Sequence, residues 1–251
     1  MIATALIATF IGLALGLLGG GGSVLAVPLL IYVAGLSDKA AIATSLVVVS
    51  GTSIVAASSH ALAHNVNWRG ALLFAPAAML GAYAGGRLAV YLPGSLLIGL
   101  FSIMMVLTAW AMWRGRRDDG APRAAHKNSA WRMTPLGLTV GTVTGLVGAG
   151  GGFLVVPALA LGVGMPMRLA IGTSLVVIAA NSAAALLGYA SHVSIDVQLA
   201  AVITLTASIG AIIGSKSAKL ISTLALRRGF AVLVLMMGLL LLWRALRSGA
   251  A

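Results

Sequence analysis

Two glycine blocks interrupt the apolar sequence of this chain at matching places: Gly19–Ser23 reads GGGGS and, 129 residues later, Gly148–Gly152 reads GAGGG. A proline follows each closely, Pro28 in one case and Pro157 in the other. Glycine within an apolar span breaks or opens a helix and bares backbone N–H groups. Lipid tolerates that only where protein or a water-filled cavity satisfies the freed groups. Matched interruptions in two halves of one chain point to the binding site of a transporter. GGGGS alone also has the composition of a flexible linker, a reading that its recurrence makes poor.

The rest of the composition agrees with burial in lipid. The 251 residues are 60% hydrophobic and only 8% charged, with mean hydropathy +1.08, where soluble domains carry about a quarter charged residues. The net charge of +12 would suggest nucleic acid in a soluble protein. Here the basic residues gather at the ends of apolar spans, the pattern that sets membrane orientation, so the expected partner is the bilayer and not nucleic acid. The absence of cysteine excludes thiolate metal sites, Fe–S clusters and cysteine nucleophiles. The acids are Asp38, Asp118, Asp119 and Asp196, all at segment ends, which leaves no carboxylate pair and no nucleophile–base pair for catalysis. No catalytic residue and no cofactor is therefore expected. His60 and His64 lie one helical turn apart but lack a third ligand, so no metal site is expected either; proton handling by His60, His64 or His192 stays open. The opening MIATALIATFIGLALG has no basic n-region and reads as the first membrane segment.

A shift of 129 residues aligns the two halves without a gap, making residues 129 apart mates in a repeat. Gly12 and Gly16 fall on Gly141 and Gly145, Val27-Pro28 on Val156-Pro157, Thr44-Ser45-Leu46-Val47-Val48 on Thr173-Ser174-Leu175-Val176-Val177, Ser53 on Ser182, Gly85 on Gly214 and Phe101 on Phe230. The apolar segments are 3–18, 24–35, 41–64, 69–91 and 95–113, then 134–147, 153–165, 170–191, 196–219 and 225–246. A membrane crossing takes about 20 residues. The last three of each half suffice, whereas the first two are short and joined by the glycine block, as in a broken or re-entrant hairpin. The expected fold is an all-α polytopic membrane protein of two inverted repeats, each a hairpin plus three transmembrane helices. Its parts are repeat 1–113, a basic cytoplasmic linker 114–133 and repeat 134–251.

Charge decides between inverted and parallel halves. With inverted halves and the linker inside, the sixteen Lys and Arg divide 12 inside to 4 outside, the four being Lys39, Arg87, Arg244 and Arg247. If each hairpin is one broken crossing, the halves are parallel and the split is 9 to 7. The excess of cytoplasmic Lys and Arg favours the inverted form, with both termini outside.

A helix starting after a glycine block points unpaired N–H groups and a positive dipole end at what precedes it, an anion cradle. Close helix packing is the other reading of these glycines. It accounts for the four-residue spacings Gly12/Gly16, Gly81/Gly85, Gly141/Gly145 and Gly210/Gly214, but not for consecutive glycines. Thr44-Ser45 and Thr173-Ser174, early in the third segments, can cap a helix, bond a backbone carbonyl or face a ligand. Asn181, mate of Thr52, is costly to leave unpaired in lipid and should face protein or the cavity, with Ser53 and Ser182 nearby. Lys39 and Arg168 are mates that either draw anions to the entrances or snorkel to the interface.

The paired motifs GLLGGGGSVLAVPLL with AIATSLVVV, and GLVGAGGGFLVVPAL with AIGTSLVVI, resemble the sulfite exporter TauE/SafE family over nearly the whole chain. The resemblance implies a multi-pass inner-membrane permease for a small sulfur-containing anion, sulfite or an organosulfonate, and it agrees with the repeat, which points to alternating access around a midplane anion site. It carries over Gly19, Gly21, Gly22, Pro28, Thr44 and Ser45, with Gly148, Gly150, Gly151, Pro157, Thr173 and Ser174. Ala149 departs from the run of four glycines in the first block, so the two cradles need not be equivalent. Other readings are an uptake permease for another small oxyanion or carboxylate, and a scaffold assembled through its GxxxG faces, as in a homodimer.

Overall fold

The computed structural model describes residues 8–10, 12–14, 16–17, 23–114, 129–148, 152–189, 193, 195–217 and 223–248. After an opening segment helical at 8–10, 12–14 and 16–17 come α1 Ala26–Tyr32, α2 Asp38–Leu62, α3 Trp68–Tyr91, α4 Gly94–Arg114, α5 Ser129–Val147 and α6 Gly152–Pro157. A π turn, Ala158–Gly162, precedes α7 Met167–Tyr189, α8 Val197–Ser217 and α9 Thr223–Ser248. Among the described residues four helices are long and apolar enough to cross a membrane: α2, α3, α8 and, over Arg168–Tyr189, α7.

Most helices begin one to five residues before their apolar segments, whereas α1 and α8 lie inside theirs. Asn67 and Asp196, mates in the repeat, show how two of these starts are fixed. Asn67 Oδ1 accepts from Gly70 N at 3.0 Å and Asp196 Oδ1 from Leu199 N at 2.9 Å, each cap being worth about 1 kcal/mol. The largest departure is α5, which begins at Ser129 and not near residue 134. The hairpin is therefore uneven, its first arm 19 residues long and its second much shorter. Gly162, at the end of the short arm, lies against the Leu136 side chain near the start of the long one. The end of the short arm thus lies beside the start of the long one.

At the centre α2 and α7 run antiparallel. Ser50 Oγ donates to the carbonyl of Ala179, its own mate, at 3.2 Å, and Gly172 meets the Asn65 carbonyl and His60 Cβ toward the far end of α2. Helix contacts then repeat across the halves: α2 packs on α8 as α7 packs on α3, α1 on α2 as α6 on α7, and α4 on α9. Glycines set the closest approaches. A Cβ at Gly141 or Gly145 would overlap the Ala78 or Ala82 backbone, and one at Gly12 or Gly16 would overlap that of Ala207 or Ala211. These two sets are mates, so the opening segment seats on α8 as α5 seats on α3. Small residues serve this purpose in a bilayer, where backbone proximity and not apolar burial holds helices together. Outward, α3 exposes Leu72, Leu80 and Leu88 between Trp68 and Tyr91. Its 24 residues span about 36 Å and carry an aromatic residue at each end, the pattern that suits the two bilayer interfaces.

Candidate functional site

The break after α5 is where candidate residues from both halves meet. Gly148 continues the chain with φ +72°, and a Cβ there would overlap Ile42 Cγ2 of α2. Both the backbone and its neighbour therefore require glycine. Its carbonyl, unable to enter a helical ladder, accepts from Ser45 Oγ at 2.6 Å, and Ser45 Oγ also lies 2.7 Å from the Ile42 carbonyl. Gly148 N donates to the Thr144 carbonyl at 2.9 Å, and Thr144 Oγ1 accepts from Asn181 Nδ2 at 2.7 Å. Ser45 of one half, the Thr144–Gly148 turn and Asn181 of the other half thus form one hydrogen-bond chain, tying α2 and α7 to the glycine break.

Along α2 and α7 the interior holds polar atoms without a hydrogen-bond partner among the described residues: Thr44 Oγ1, Ser53 Oγ, Ser182 Oγ, Asn181 Oδ1 and both ring nitrogens of His60. Thr44, Ser53, Asn181 and Ser182 are at most 1% exposed. Each such atom costs about 1–3 kcal/mol unless something else bonds it. All of them belong to α2 and α7, and two, Ser53 and Ser182, are mates.

The structure separates other candidates. Because α2 and α7 are antiparallel, Thr44-Ser45 and Thr173-Ser174 lie on opposite sides of the Ser50–Ala179 crossing, on the order of 15 Å apart. Thr173 Oγ1 accepts from Asn67 N at 2.9 Å, and Ser174 Oγ donates to Ile171 O at 2.7 Å. Since α2 begins at Asp38 and α7 at Met167, neither pair is at a cap position. Lys39 Nζ donates to the Val90 carbonyl at 2.7 Å near the end of α3, where a cation suits the helix dipole; Arg168 is exposed. His60 is partly buried whereas His64, at φ +54°, is exposed in the turn beyond α2, so the two do not share a face. Gly19, Gly21, Gly22, Gly150, Gly151 and His192 lie outside the described residues. Thr144 escaped the sequence reading because its mate is Leu15. A cavity of about 10 Å³ lined by Ala26, Leu30, Val48 and Ala207 holds one water-sized sphere and has no polar wall, so it is no anion site.

Residues 4–241 match the family model described as Sulfite exporter TauE/SafE. A probable membrane transporter protein of Xylella fastidiosa strain Temecula1 is 36% identical over 95% of this chain and 93% of its own length. Similar proteins under that description occur in Methanocaldococcus jannaschii, 30% identical over 71% of this chain and 70% of its own, and in Bacillus subtilis strain 168, 24% identical over 95% and 98%. No solved structure matches the chain.

Proposed function

Since the chain belongs to the sulfite exporter TauE/SafE family of membrane transporters, we propose that it exports a small sulfur-containing anion, sulfite or an organosulfonate, across the inner membrane by alternating access. The observation that carries this reading is the Ser45–Gly148–Thr144–Asn181 chain at a helix break, with bare hydroxyls beside it inside an apolar interior. Hydroxyls and backbone N–H groups are neutral donors. They suit an anion that must be bound and then released, where a fixed cation would hold it too long. Gly148, Gly150 and Gly151 supply the break, Ser45, Thr44 and Asn181 line it, and Gly19, Gly21, Gly22, Thr173 and Ser174 form the matching surface of the other half.

Export needs no coupling ion in this scheme. The cell interior is negative, and each charge moved gains about 2.3 kcal/mol per 100 mV. Proteoliposomes offered sulfite, sulfoacetate, thiosulfate, sulfate, phosphate and acetate test it. Efflux of the sulfur anions should exceed the others and quicken when valinomycin makes the interior negative. Preference for acetate or phosphate would indicate the uptake permease, absence of all flux a scaffold, and flux driven only by a pH gradient a proton-coupled carrier.

The two halves are proposed to be inverted repeats. Antiparallel α2 and α7 support this, as does the ion pair of Asp38 at the start of α2 with Arg244 near the end of α9, 3.3 Å apart. Inverted halves put both residues on the outer face; parallel halves would put them on opposite faces. The chain has no cysteine, so cysteines introduced at Gly120 and Gly249 can be labelled selectively and should react from opposite sides of the membrane. Reaction of both from one side would refute inversion.

A further inference from the structure

The two hairpins are held differently, and the difference centres on one pair of mates. Tyr189, fully buried at the end of α7, donates from its hydroxyl to the Leu146 carbonyl at 3.0 Å, in the last turn before the second glycine block. Its mate is His60. The His60 ring lies beside the backbone of Gly16, the mate of Gly145, in the corresponding turn before the first block. Gly172 of α7 lies against the His60 Cβ, and neither ring nitrogen makes a hydrogen bond of ordinary geometry. One further fastening of the second hairpin also differs in the first. Where Asn181 reaches Thr144, the mates are Thr52, bonded to the Val48 and Val49 carbonyls of its own helix, and Leu15, which has no hydroxyl.

We infer that His60 is a proton-operated anchor of the first hairpin, replacing the permanent anchor that Tyr189 gives the second. A neutral imidazole has one N–H; a proton from the aqueous phase adds a second donor and a positive charge. The backbone beside the ring is then offered a charged donor, and a charge-assisted hydrogen bond is stronger than a neutral one. Protonation therefore fastens the first hairpin to α2 and deprotonation frees it, leaving the carrier one fixed and one movable half.

Among the described residues no acid near His60 offers another account. Among the described residues the opening segment carries no ionisable side chain. The nearest charges on α7, α8 and α3 are Arg168, Lys216 and Arg69, all basic and exposed, and the turn adds exposed His64. Asp38 is at the other end of α2, and Asp196 caps the far end of α8.

Hydrogen exchange tests the anchor without reference to substrate. Exchange of residues 8–32 is divided by that of their mates 137–161 in the same sample, which cancels the intrinsic pH dependence. In the wild type the first hairpin should gain protection relative to the second, by about threefold or more, between about pH 8 and about pH 5.5. His60→Gln, which donates without titrating, should make the ratio independent of pH, and His60→Tyr should keep the first hairpin protected throughout. A constant ratio in the wild type, or wild-type pH dependence in His60→Gln, would overturn the inference.

Discussion

Replacing Gly148 with valine is expected to abolish transport and to cost about 2–5 kcal/mol of stability. The positive φ of +72° accounts for about 1–2 kcal/mol of this, since a β-carbon crowds the backbone there. Overlap with Ile42 Cγ2 adds about 1–3 kcal/mol. Gly148→Ala should retain a folded protein with flux lowered by about tenfold or more. Trimming the neighbour in Gly148→Ala/Ile42→Ala should restore part of the stability, because the packing conflict is relieved and the φ strain is not. Measurement is by thermal unfolding in detergent and by proteoliposome efflux. Wild-type flux in Gly148→Ala would reduce the glycine to a packing residue.

The second large effect is expected at Asn181. Asn181→Leu removes a buried amide and leaves Thr144 Oγ1 without its donor, at a cost of about 1–3 kcal/mol. The double variant Asn181→Leu/Thr144→Val removes both polar groups, so stability should return close to that of the wild type. Transport should not return, since the proposed lining is gone. A double variant that is stable and still transports at wild-type rate would assign the pair to structure alone. The contrast between stability and flux makes the test specific.

Much of the architecture was legible before folding. Apolar runs locate helices because lipid demands that every backbone group be paired within its own segment, and α3 at Trp68–Tyr91 lies within a residue of the run at 69–91. The four-residue glycine spacings gave the contact faces, since nothing larger fits where Gly141 and Gly145 meet Ala78 and Ala82. The length of α5 was less legible. Its first turn, Ser129 to Arg132, adjoins the basic linker and includes Ser and Arg, so hydropathy does not assign it to the helix.

What the sequence determined by itself is equivalence: a shift of 129 says that Thr44-Ser45 and Thr173-Ser174 stand in like places, and that His60 stands where Tyr189 does. Which residues actually meet was decided by the tertiary structure alone. Because α2 and α7 run antiparallel, mates coincide only at the crossing, where Ser50 reaches Ala179. Six residues away, a position lies about 9 Å to one side and its mate about 9 Å to the other. Ser45 therefore meets not Ser174 but Gly148 and, through Thr144, Asn181, a grouping fixed by the direction in which two helices cross.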